Sequence, residues 1–227
     1  MATTDRYRTL ADMPARIPVF PLRGAILLPR SEVPFNIFEP RYLAMIDDAM
    51  SASRIIGMIQ PEQTAGPAES PAGKAVALKR IGCAGRITTY QELPDGRMRI
   101  VLTGVSRFTL VREPPTETPY RLADVSYQKH AADFDADASV DSIDRAHLLR
   151  VLKSYLAVRQ LEADWNAVNR APLEPLVNGL STMSPFGPEE KQALLEATDA
   201  KHRAEVLIAL AEMVIAAGGA TGGGTLQ

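Results

Sequence analysis

Two hydrophobic periods divide this chain. Up to residue ~130 the apolar positions come in short runs or alternate with polar ones, the texture of strands; beyond it they recur at helical spacing. Ile17-Pro18-Val19-Phe20-Pro21-Leu22 is extended, because each proline pushes its predecessor out of the helical region. Gly24 permits a turn, and Ala25 to Leu28 reads as a short buried strand. Val33 to Phe38 is the next strand. Glu39-Pro40 then opens a helix: proline suits the first helical position, and the acid before it faces the positive end of the dipole. Leu43, Met45, Ile46, Ala49 and Met50 give that helix an apolar face, and it should end near Ser51 to Ser53.

Arg54 to Gln60 reads as a buried strand, and Pro61 to Lys74, without periodicity, as an exposed loop. Ala75 to Glu92 is strand-like, with Gly82 and Gly85 as bulge or close-packing sites. Pro94-Asp95-Gly96 is the strongest hairpin signal. Met98, Ile100 and Leu102 then alternate with Arg97, Arg99 and Val101, as in a strand with one buried face. Gly104 marks a bend, Val105 to Val111 resumes the strand, and Tyr120 to Tyr127 is the last one. The pattern over 15–128 predicts an antiparallel, closed or partly closed β barrel with one inserted helix.

Residues 129–141 read as an acidic, alanine-rich linker, and 142–217 as a bundle of about four helices. The first carries Ile143, Leu148, Leu149, Val151, Leu152, Tyr155, Leu156 and Leu161. Trp165 to Ala171 is a break, and Leu173 to Met183 a second helix. Gly187-Pro188-Glu189-Glu190 starts a third, and Asp199 caps a fourth that ends at Gly218-Gly219. Residues 218–227 form a flexible tail. The fold class is therefore α+β.

Composition narrows the function classes. Basic and acidic residues number 25 and 27, a net of −2, which argues against a duplex-binding protein. Cys83 is the sole cysteine, which fits a reducing compartment. Asp5, Arg6, Arg8 and Asp12 break any secretory hydrophobic region, and Val206 to Ala217 is too short to span a bilayer. These features predict a cytoplasmic protein that does not engage a membrane.

Candidate chemistry is sparse. No phosphate-binding glycine motif and no nucleophile elbow occurs, and the three histidines, His130, His147 and His202, all lie in the second half. Cys83, among small residues, reads as a buried hydrophobe. Asp133, Asp135, Asp137, Ser139, Asp141 and Asp144 follow calcium-loop spacing, but Ala138 stands where such a loop needs glycine and Asp144 where it needs glutamate. A solvated linker is the better reading. Neither catalytic residues, nor cofactor, nor metal are assigned. Phe35, Phe38, Arg41 and Tyr42 remain as a candidate protein-binding cluster. Arg41 and Tyr42 either point outward as anchors, or Tyr42 covers the barrel mouth and Arg41 is solvated. RNA binding stays as the alternative because related barrel folds bind RNA, and Arg97, Arg99, Arg107 and Arg112 could make a local basic stripe.

The order of these segments resembles the N-terminal domain of Lon protease in its stand-alone form. "IPVFPLRGAILLPRSEVPFNIFEPRYLAMIDDAM" is similar to its opening, "PDGRMRIVLTGVSRFTLVRE" and "PYRLADV" to its later strands, and "EEKQALLEATDAKHRAEVLIAL" to its helical end. The resemblance implies a PUA-like pseudobarrel followed by a helical bundle. It also implies a non-catalytic role in protein quality control or proteolysis, with unfolded or tagged polypeptides and an ATP-dependent protease as partners. The ATPase and Ser–Lys protease modules of a full Lon protease are expected to be absent, so proteolysis itself is not implied.

Overall fold

The computed structural model describes residues 6–62 and 76–221, with side chains up to residue 217. The loop expected at Pro61 to Lys74 lies outside them from residue 63 on. So do residues 1–5 and the tail from residue 222.

Among the described residues six strands form one mixed sheet: β1 (Arg16–Pro21), β2 (Glu32–Ile37), β3 (Ile55–Ile59), β4 (Ile81–Glu92), β5 (Met98–Arg112) and β6 (Arg121–Ser126). Their order is β2-β5-β4-β3-β1-β6, and β5 also pairs with β6. Five strands thus close on themselves while β2 stays outside, on the first half of β5. Only β1 and β3 run parallel. This is the pseudobarrel expected above. Ile17, Val19, Ile55, Ile59, Ala84, Val105, Phe108 and Ala123 fill its interior.

The long strand β5, Met98–Arg112, meets two partners in turn. It pairs with β2 over Met98 to Thr103 and with β6 from Thr109 onward. Gly104 sits between. A Cβ there would stand 2.0 Å from the Leu28 carbonyl oxygen, so only glycine lets the chain at Leu28 pass this close. Ala25 to Leu28 is consequently not the strand the apolar run suggested. It is irregular backbone whose Leu27 and Leu28 side chains are fully buried. The hairpin at Pro94-Asp95-Gly96 forms as read, with Gly96 at φ 80° and its N–H donating to the Leu93 carbonyl.

The helices are α1 (Pro40–Ser51), α2 (Arg145–Arg159), α3 (Trp165–Arg170), α4 (Leu173–Met183), α5 (Pro188–Glu196) and α6 (Ala200–Thr221). The break expected at Trp165 to Ala171 is a short helix, because the Asp164 carboxylate accepts hydrogen bonds from the Asn166 and Ala167 N–H groups. Asp199 accepts from the His202 N–H at the start of α6. That helix continues to Thr221 rather than stopping at Gly218-Gly219.

Two compact units result. One holds Met1–Ala136 and Phe186–Leu195, the other Asp137–Pro185 and Glu196–Gln227. Nearly all of α5 therefore belongs with the barrel. Gln60 donates to the Pro188 carbonyl and to Gln192, which itself donates to the Ile81 carbonyl. In the second unit α6 packs on α2 and α4, and Arg203 donates to Asn178 Oδ1.

The acidic tract is not uniformly solvated. Residues Gln128–Phe134 form a 3-10 helix in which Asp133 is buried. Its carboxylate receives two side-chain nitrogens of Arg107 and the Arg107 backbone N–H, at 2.7–3.2 Å. A burial this deep is tolerable only because the charges meet as a bidentate pair. Asp137 and Asp144, two other members of the calcium-like spacing, accept backbone N–H groups at helix starts.

Candidate functional site

The candidate cluster lies on the barrel's own unit, where β2 runs into α1. Strand β2 alternates strictly: Glu32, Pro34 and Asn36 are exposed, Val33 and Phe35 half-buried, and Ile37 buried. Pro40 then starts α1 with a preset φ, and the Glu39 carbonyl accepts the Tyr42 and Leu43 N–H groups. Glu39 offers no side-chain cap. Its carboxylate instead receives Nε and Nη2 of Arg41, at 3.0 and 2.7 Å.

Tyr42 is buried, which decides between the two readings of its direction. Its ring meets Phe20 edge-on, centroids 4.6 Å apart, and Phe20 meets Phe35 at 5.6 Å. The Arg41 guanidinium lies 4.5 Å from the Tyr42 ring centre. Arg41 is thus neither a free anchor nor a solvated charge; Glu39 and Tyr42 fix it in place. Phe38 is different. It is 66% exposed, although it lies between the buried Ile37 and the helix start.

Phe35, Phe38, Arg41 and Tyr42 share one open cleft of about 530 Å³. Its opposite wall is the segment 20–23 that leaves β1. The sequence reading missed this wall. Its signal was present in the spacing of Pro18 and Pro21, which holds Phe20 in an extended segment, but nothing local says that Phe20 faces Phe35.

The remaining candidates do not converge on chemistry. Cys83 is fully buried in β4. Among the described residues no group of three or more His, Cys, Asp or Glu could hold a metal ion, and no helix is long and apolar enough to cross a membrane. The basic stripe is dispersed. Arg107 is buried on Asp133, Arg97 pairs with Asp95, and Arg112 pairs with Asp124. Only Arg99 of the four stands exposed without an ion pair among the described residues.

Known proteins give this geometry a context. The solved Lon N-terminal domain protein from Xanthomonas campestris superposes with a TM-score of 0.57 at 19% identity, covering 86% of this chain and 98% of that one. The N-terminal domain of the Mycobacterium avium complex Lon protease gives 0.61 at 20%, covering 87% and 98%. These two likenesses establish the fold. Among curated sequences, the Lon protease of Flavobacterium johnsoniae is 26% identical over 199 residues, 85% of this chain. That of Syntrophus aciditrophicus is 25% identical over 206 residues, 89% of this chain. The chain spans about a quarter of the length of these relatives, 23% and 25% respectively. Residues 16–212 match the family described as the ATP-dependent protease La (LON) substrate-binding domain, and the chain belongs to that family.

Proposed function

We propose that this chain is a non-catalytic polypeptide-binding module, and that the cleft between β2, α1 and the segment 20–23 receives apolar segments of unfolded or tagged proteins. Family membership supports substrate recognition as the task. The observation that carries the site is Phe38, a phenylalanine 66% exposed at the rim of a cleft walled by Phe20, Phe35 and Tyr42. An exposed aromatic beside a concave, half-apolar surface is the arrangement of a binding anchor. Arg41, held by Glu39 and stacked on Tyr42, keeps the rim rigid, so little conformational entropy is lost when a client binds. Clients held here would reach an ATP-dependent protease in a quality-control role, in the cytoplasm. RNA binding draws no support from the dispersed arginines.

Titration of a dye-labelled, permanently unfolded carrier protein tests the site. Phe38→Ser should weaken capture about tenfold, the loss of one anchor worth 1–2 kcal/mol. Its melting temperature should stay within about 2 °C, since the ring is mostly in solvent. Equal capture by Phe38→Ser and the parent protein would remove the cleft from consideration. Tyr42 is unsuitable for this purpose, because its removal would unpack Phe20.

A further inference from the structure

The cleft has an open backbone edge along one side, and the edge specifies the shape of what binds. Strand β2 pairs with β5 in unbroken antiparallel register from Glu32 opposite Thr103 to Ile37 opposite Met98. In such a ladder, residues that point their N–H and C=O groups at the partner alternate with residues that point them away. Pro34 has no N–H and stands opposite Val101, so it belongs to the outward set. The phase agrees with the preceding residues: the Gly104 N–H donates to the Ser31 carbonyl, which places Ser31, Val33, Phe35 and Ile37 in the inward set. Glu32, Pro34 and Asn36 therefore turn their backbone groups outward. All three are exposed, and among the described residues β2 has no neighbour but β5.

We infer that clients bind by adding a β-strand to the outer edge of β2. The client would be an extended segment with apolar residues at alternate positions and a carboxylate among the others. This rests on the reading of the cleft as the client site and specifies its geometry. Strand addition supplies main-chain hydrogen bonds that are indifferent to sequence, while alternate side chains enter the adjoining cleft. Asn36 belongs to both: it lines the cleft and offers an outward donor and acceptor.

Charge selects the client's polar positions. Arg99 is directly opposite Asn36 on β5 and exposed, and Arg23 is exposed on the cleft's far wall. Among the described residues neither has an ion pair, whereas Arg41 is neutralised by Glu39. A client carboxylate beside Asn36 thus meets Arg99, while Arg23 adds positive charge on the cleft's far wall, and a client lysine is disfavoured at either place. A second copy of this chain fits less well. Any twofold pairing of β2 with itself that includes Pro34 loses a hydrogen bond at both prolines.

The experiment uses a dye-labelled octapeptide alternating phenylalanine or valine with threonine, with one glutamate among the threonines. Two N-methylated versions remove alternate amide donors in opposite phases. Methylation in the phase that faces β2 should weaken binding at least tenfold, and the other phase should leave it within about threefold. Replacing the glutamate by lysine should weaken it about threefold. Asn36→Pro removes an outward donor that β5 does not use, so it should lower affinity about tenfold while the circular dichroism spectrum is retained. Equal loss in both phases, no loss in either, or no binding of the parent octapeptide would overturn strand addition. So would sedimentation showing that the free protein is a dimer disrupted by Asn36→Pro. If strand addition fails while Phe38→Ser still weakens capture of the unfolded carrier, side-chain capture in the cleft stands alone. If both fail, the site itself is wrong.

Discussion

Asp133 shows how one carboxylate can fix a long stretch of chain. It receives three nitrogens of Arg107, both side chains are 6% exposed, and Arg107 also reaches the Leu195 carbonyl. Removing one partner of a buried pair strands the other's charge. Asp133→Ala should therefore cost about 3–5 kcal/mol in urea unfolding. Replacing both, Asp133→Leu with Arg107→Met, should recover more than half of that loss, since no charge is then left behind. If the double variant is no more stable than Asp133→Ala, the damage comes from lost packing and the orphaned Arg107 backbone N–H rather than from the uncompensated guanidinium.

Elements were legible where their causes are local. The helix start at Glu39-Pro40 and the hairpin at Asp95-Gly96 each depend on two or three adjacent residues, and both form as read. Gly96 isolates the backbone contribution, because a Cβ there would meet nothing within 4 Å. Gly96→Ala should cost about 1–2 kcal/mol purely through the left-handed φ, without altering the slope of a urea titration. Elsewhere the missing information was spatial. Leu27 and Leu28 were read as buried, correctly, but a four-residue apolar run does not distinguish a strand from irregular chain pressed against Gly104. Asp133 sat in an acid-rich tract, and its partner lies 26 residues upstream with no local pattern to join them. The candidate site divides in the same way. Phe35, Phe38, Arg41 and Tyr42 do share a cleft, yet the inward turn of Tyr42 is set by the angle of α1 to Phe20, which periodicity leaves open.

At the scale of the molecule, the chain leaves the barrel's unit after Ala136 and returns for Phe186–Leu195. That return brings Lys191 to a position only 3% exposed. Burial disfavours its ammonium form and lowers its pKa from the ordinary 10.5 to about 8. The sign of the consequence is fixed by proton counting. Between pH 8 and 10.5 the unfolded chain holds a proton on this lysine that the folded chain has released, so stability rises with pH across that window. At neutral pH both states are protonated and the folded state bears the desolvation cost. Below pH 8 this group contributes no further slope. Tyr90 and Tyr120, each raised to about 12, oppose the rise near its upper end, since the unfolded chain loses their protons first above pH 10. Urea unfolding at pH 7.5 and pH 9.5 should thus show a gain on the order of 1–2 kcal/mol at the higher pH. Lys191→Met should be more stable than the parent protein at pH 7.5 and flat between the two pH values. If the variant keeps the parent's rise, the slope belongs to another group, and the α5 lysine is solvated when the protein is in solution.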